Sequence, residues 1–138
     1  MRTLPALAIL LLAPTVHARV TEHCPSPNDI IFADEKYRAH AQRADATWSG
    51  IPSAAGGGHV REFIDAEFHA VRATNPSMIF GFFEGCRYRL TSGTLVMKYN
   101  GGATPLKVLV PPHGWSARKG DWLYRCSRNR EGCSFTTD

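Results

Sequence analysis

The chain has 138 residues, a formal net charge of +4, a 43% hydrophobic content and four cysteines. That length holds one domain rather than several. Once any leader is removed it can still bury roughly two-thirds of its unfolded surface, so a core can form without a metal.

Met1-Arg2-Thr3 is a short positive start, and Leu4 to Ala13 is an apolar run of secretory-signal length, too short to span a bilayer as a helix. Val16-His17-Ala18 fits a small-x-small cleavage site. The expectation is a signal peptide over residues 1–18 and a single exported β domain over residues 19–138. The mature protein would be secreted or periplasmic, with no transmembrane segment after cleavage. An uncleaved membrane anchor is the alternative, but no second apolar run follows.

Cys24-Pro25-Ser26-Pro27-Asn28 is an extended, turn-rich entry, because each Pro fixes its own φ and biases its predecessor away from helix. Asp29-Ile30-Ile31-Phe32 is the first expected strand, and Tyr37 to Gln42 reads equally as a short helix or a strand. Trp48, ahead of Gly50 and Pro52, is expected to anchor the core. Ser53 to Gly58 is a loop, without the Gly-Lys-Ser/Thr ending of a P-loop or Rossmann glycine spacing. Val60 to Ala73 fits a helical stripe as well as a strand. The alternation of Ile64, Ala66, Phe68 and Ala70 with Asp65, Glu67 and His69 favours strand. A turn at Asn75-Pro76-Ser77 then leads into the apolar run Met78 to Phe83.

Cys86 to Tyr99 reads as two alternating strands joined at Ser92-Gly93, with Gly93 supplying the positive φ of a tight turn. Folding there sets Leu90 opposite Leu95, Tyr88 opposite Met97 and Cys86 opposite Tyr99, all on one apolar face. Arg87, Arg89, Thr91, Thr94, Val96 and Lys98 take the other. After a turn at Asn100 to Pro105 come a short strand from Leu106 to Val110 and a loop at His113-Gly114-Trp115. A turn at Arg118 to Asp121 precedes a strand with Trp122, Tyr124 and Cys126 on one face. Ser134-Phe135-Thr136 is expected to return beside that strand. Short strands punctuated by Gly and Pro indicate an all-β, disulfide-stabilised antiparallel β-sandwich or partly open barrel.

The even cysteine count, all after the leader, argues for two disulfides in an exported protein. Of three possible pairings, Cys126–Cys133 closes a short polar loop across a terminal hairpin, which leaves Cys24–Cys86. Charge is unevenly divided: residues 19–84 carry six basic and nine acidic side chains, residues 85–138 nine basic and three acidic. The basic half either attracts anionic partners or is a solvated sheet face balanced by the acidic half.

Cys24-Pro25, the Ile-rich stretch after it, Trp48-Ser49-Gly50, Phe63, Ala66 and Cys86-Arg87-Tyr88 occur in an order that resembles a family of small exported bacterial proteins carrying a domain of unknown function. The resemblance runs from Cys24 to about Tyr99 and leaves out Cys126, Cys133 and the Trp-rich tail. It implies export and a Cys24–Cys86 bond, and brings no activity.

Four paired cysteines would leave no thiolate nucleophile, and Gly114-Trp115-Ser116-Ala117-Arg118 lacks the second Gly of a serine-hydrolase elbow. Asp65, Glu67 and His69 would project from one strand face about 7 Å apart. That spacing suits a solvent face paired with Arg87 and Arg89, or an acid–base or two-ligand metal site in a small hydrolase. Trp115, Arg118, Lys119, Trp122, Tyr124, Arg125, Arg128 and Arg130 interleave rings with cations, as a polyanion-binding surface does and as a core Trp beside a basic loop also does. The sequence therefore reads as a non-enzymatic exported binding domain for an anionic glycan or lipid surface. No cofactor, metal or intracellular nucleic acid is expected. The alternative is a periplasmic immunity or inhibitor protein that blocks a partner enzyme, and a third reading is the Asp65/Glu67/His69 hydrolase.

Overall fold

A computed structural model describes residues 19–75, 78–101, 107–110, 113–117 and 122–137, with the backbone alone for 72–75, 78 and 107–109. The expected leader, the turn residues Pro76-Ser77 and the turn at Arg118 to Asp121 lie outside the described residues.

The described chain is all β. Its strands are β1 (Val20–Glu22), β2 (Ile31–Ala33), β3 (Lys36–His40), β4 (Thr47–Pro52), β5 (Gly57–Asn75), β6 (Met78–Ser92), β7 (Thr94–Asn100), β8 (Lys107–Val110), β9 (Ser116–Ala117), β10 (Leu123–Cys126) and β11 (Phe135–Thr137). Every pairing is antiparallel, and the sheet does not close into a barrel.

The long β5–β6 pair is the spine. One edge of β6 runs along β5. The other is divided, with Ile79 to Phe82 pairing β8 and Cys86 to Arg89 pairing β7. Two wings result: β7-β4-β3-β2 extends from one half of β6, and β8-β11-β1 from the other. On the far side, β5 pairs β10, which pairs β9. Between the halves Gly85 takes φ +149°, and a Cβ there would lie 2.8 Å from the Met97 carbonyl oxygen. The bend therefore needs glycine.

The wings close over an aromatic core. Trp48 of β4 meets Tyr99 of β7, Phe83 of β6 and Phe135 of β11 edge-on, and Phe83 stacks on Phe135 with centroids 4.2 Å apart. Such pairs contribute about 0.5–1.5 kcal/mol each beyond the area they bury. Glu22 of β1 is fully buried, and its carboxylate accepts from the Gln42 and Arg43 amides and the Tyr99 hydroxyl at 2.8–3.0 Å. Burial and this neighbouring carboxylate push the Tyr99 hydroxyl well above its ordinary pKa.

Both β5 and the segment read as helix or strand are strands. Asp34 and Glu35 adopt φ of +51° and +62°, a hairpin turn that returns the chain as β3. Cys86, Tyr88, Leu90, Leu95, Met97 and Tyr99 are all buried, as the alternation requires. Their partners differ from expectation: Cys86 lies opposite Met97 and Tyr88 opposite Leu95. The Leu90 amide donates to the Gly93 carbonyl at 3.0 Å, so the turn centres on Thr91-Ser92 and Gly93, at φ +75°, follows it. A slide of two residues keeps every side chain on its face.

Other boundaries also move. Residues Pro27–Asp29 form a 3-10 turn, so β2 starts at Ile31, and β1 precedes it. The strand β5 begins at Gly57, inside the expected loop. The strand β11 pairs β1 and β8 rather than β10, so Cys126 and Cys133 do not bridge a hairpin. They close a loop containing a second 3-10 turn at Arg130–Gly132.

The bonds are Cys24–Cys86, separated by 62 residues, and Cys126–Cys133, separated by 7. Chain entropy gives about 4 kcal/mol for the first and about 2.5 kcal/mol for the second. Cys86→Ser should therefore lower stability more than Cys133→Ser. Denaturant melts of the two variants measure the difference, and equal losses would remove the longer crosslink as the dominant staple.

Candidate functional site

Register fixes what the outer face carries. Ile51, Val96, Arg87 and Asp65 lie in one row across β4, β7, β6 and β5. Ile31, Arg38, Ser49 and Lys98 lie in the next row, across β2, β3, β4 and β7. Because β5 is acidic on this face and its neighbours are basic, the charges meet in pairs. Arg87 grips Asp65 through both Nη2 and Nε, the latter at 2.6 Å. Arg125 donates to Glu67 at 3.0 Å, Arg89 meets Glu62 at 3.1 Å and Lys98 meets Glu84 at 3.7 Å. The hydrogen bond to Asp65 holds the Arg87 guanidinium above its ordinary pKa. Arg87, Arg89, Lys98 and Arg125 are thus neutralised on this face by the acidic β5–β6 hairpin.

The described members of the aromatic–cation set do not form one surface. Trp115 is buried, with Nε1 donating to the Ser134 carbonyl at 3.1 Å and its ring against Phe68. Tyr124 is half-buried against Phe68. Arg125 is paired as above. Arg130 is folded against Glu131 and His23. Arg128 is exposed. Trp122 precedes β10 and is 56% exposed rather than bracing the strand from the core. Arg118 and Lys119 lie outside the described residues.

Asp65, Glu67 and His69 also separate. Asp65 is buried under Arg87, and Glu67 is held by Arg125. A register shift between Glu67 and Phe68 intervenes before His69, which is exposed beside Phe82, Glu84 and Trp122. Among the described residues no group of three or more His, Cys, Asp or Glu side chains could hold a metal ion. All four cysteines are in disulfides.

The concavity that does gather unneutralised charge lies on β3 and β4. A depression of about 620 Å³ is lined by Lys36, Arg38, His40, Thr47, Ser49 and Asn100, together with Ile31 and the exposed Asp29. Strand alternation puts Lys36, Arg38 and His40 outward while Tyr37 and Ala39 are buried. Arg38 has only a 3.6 Å contact with the exposed Asp34, and Lys36 and His40 make no ion pair among the described residues. The Asn100 amide donates to Ser49 Oγ at 2.6 Å, which presets the neutral polar groups. A polar recess of about 270 Å³ shares Asp29, His40 and Trp48 with this depression. The pattern Lys36-Tyr37-Arg38-Ala39-His40 carries the signal for this face once the segment is read as a strand.

The ion pairs have a measurable consequence. Arg87→Ala leaves the Asp65 carboxylate, only 5% exposed, without its partner. The expected loss is about 2 kcal/mol, below the range for fully buried pairs because Arg87 is itself partly exposed. Arg128→Ala should change stability by less than about 0.5 kcal/mol. Chemical denaturation of both variants checks this, and Asp65→Asn combined with Arg87→Gln should recover part of the loss.

Comparison with known proteins places the chain. No curated protein and no solved structure matches it. Residues 19–136 match the family described as a protein of unknown function, DUF3757. The match extends past Tyr99 and takes in all four cysteines, so the tail belongs to the same unit as the β5–β6 spine. The chain is a member of the DUF3757 family.

Proposed function

We propose that this chain is an exported, non-enzymatic binding domain that holds an anionic polymer at the cell envelope or outside the cell. The observation that carries the reading is the depression on β3 and β4, where Lys36, Arg38 and His40 face outward beside Thr47, Ser49 and Asn100. Lys36 has no ion-pair partner among the described residues and Arg38 meets only the exposed Asp34, so both can attract anions, and adjacent hydroxyl and amide groups satisfy the remaining polar atoms of a carboxylate- or phosphate-bearing ligand. The contact surface is then the N-terminal wing rather than the basic C-terminal loop, where Arg125 and Arg130 already have acidic partners. Disulfides support an oxidising compartment. Among the described residues no helix is long and apolar enough to cross a membrane. A leader over residues 1–18 supplies the route of export in this reading.

A salt titration of the mature, oxidised protein against polygalacturonate tests it. Affinity should fall as salt rises. Replacing Lys36 and Arg38 together by Ala should weaken binding about tenfold or more at low salt, with an unchanged melting temperature, because exposed charges contribute little to stability. Arg128→Ala should bind like the wild type. No binding at low salt, or equal binding by the double variant, would remove the depression as the site.

A partner-blocking role is the second reading. Ile31, Phe32 and Ile51 are 60%, 62% and 66% exposed. Ile31 lies directly opposite Arg38 across the ladder. Exposed apolar side chains with polar ones beside them, as Ile31 and Ile51 are on this face, are what a protein partner would cover. Under that reading Ile51→Ser abolishes binding of the partner, and salt has little effect.

A further inference from the structure

The outer face carries a second concavity whose chemistry differs from the first. A groove of about 480 Å³ is lined by His69, Val71, Phe82, Glu84 and Trp122, along with Ala70. Trp122 is 56% exposed and Val71 47%, although an indole ordinarily buries most of its surface. The backbone around it is firmly set. The Ala70 amide donates to the Trp122 carbonyl at 2.8 Å, and His69 lies between Leu123 and Phe82 in the ladder. The ring is therefore presented from a fixed strand end beside a half-buried Phe and two polar groups.

Charge restricts what such a groove accepts. Among the side chains described, the cations next to the groove are engaged, Lys98 with Glu84 and Arg125 with Glu67, and no unpaired cation lines it. It offers a flat apolar ring, a carboxylate that accepts and an imidazole that donates or accepts. A pyranose ring presents the complement, an apolar C–H face for the indole and hydroxyls at its edge for Glu84 and His69.

Position adds to this. The strand order runs β3, β4, β7, β6, β5, β10 between the two concavities. At about 4.8 Å per strand they lie about 24 Å or less apart across the strands, with any offset along the strands added to that. One polymer could lie across both, with its acidic groups at Lys36 and Arg38 and an uncharged residue at Trp122.

We infer that the Trp122 groove is a subsite for an uncharged sugar ring, so that the polymer held by this domain is a polysaccharide and not a lipid surface or a protein. The inference rests on the polyanion reading for its partner site, but the groove is separable in experiment.

The probes are cellohexaose, a neutral oligosaccharide, and polygalacturonate, the anionic one. Trp48 and Trp115 are buried, so acrylamide quenching of the mature protein reports chiefly on Trp122. Cellohexaose should shield that emission, with an affinity that does not change with salt. By isothermal titration calorimetry, which needs no fluorescent ring, Trp122→Ala should lose cellohexaose binding roughly tenfold or more, while Trp122→Phe, which keeps a flat ring, stays within about threefold of wild type. The Lys36/Arg38 double Ala variant should bind cellohexaose like the wild type. Both Trp122 variants should melt with the wild type, since the ring is exposed. No shielding by cellohexaose while polygalacturonate still binds would overturn the groove and leave the cationic depression standing. Equal cellohexaose binding by Trp122→Ala and wild type would also overturn it. Shielding without any polygalacturonate binding would keep the sugar subsite and overturn the polyanion reading instead.

Discussion

The pairing of β5 with β6 is the constraint on which the rest of the molecule depends. One strand has to serve two neighbours on the same edge, β8 along its first half and β7 along its second. It can do so only if the chain bends between Phe83 and Cys86, and Gly85 is the residue that permits the bend. The bend turns one sheet into two facing wings. Phe83 is thereby aimed between them, where it meets Trp48 from one side and Phe135 from the other. The Cys24–Cys86 bond fixes the chain after β1 to the strand just past the bend, and the Tyr88 hydroxyl donates to the Pro25 carbonyl at 2.6 Å from the same turn of sequence. Burial holds that hydroxyl far above its ordinary pKa, so the contact persists as a neutral hydrogen bond.

The same pairing decides the electrostatics. An acidic strand lies between two basic neighbours, so Asp65 and Glu67 meet Arg87 and Arg125 across the ladder. A net charge read from half of the chain therefore overstates the field that a ligand meets. The cations of β3 have no such neighbour, because β2 and β4 present Ile31, Thr47 and Ser49 opposite them. Whether a charge on this face is paired across the sheet is thus decided by its strand neighbours, and not by residue type.

Faces were legible in the sequence and partners were not. The alternation from Cys86 to Tyr99 separates buried from exposed side chains correctly, because period two survives any even slide of register. It misplaces the opposing residues because Gly93 supplies a positive φ just after the turn and not within it. The disulfide across Cys126 and Cys133 was legible from loop length. The pairing of β11 with β1 and β8 was not, since nothing local distinguishes one distant edge from another. Trp115 and Trp122 show the same limit. Both stand in aromatic–cation surroundings, yet one packs on Phe68 in the core and the other sits just before a strand begins. The depression on β3 and β4 is not legible in the sequence because Tyr37 to Gln42 reads equally as helix or strand until the Asp34-Glu35 hairpin fixes it.

The central claim is that ligand recognition belongs to the outward cations of β3 and not to the basic C-terminal half. The most direct measurement is an amide chemical-shift titration of the isotope-labelled, oxidised mature domain with short oligogalacturonate chains. The account predicts that shifts concentrate at Lys36 to His40 and Thr47 to Ser49, with Ser127 to Arg130 unmoved. Shifts centred on Ser127 to Arg130, with β3 silent, would contradict it.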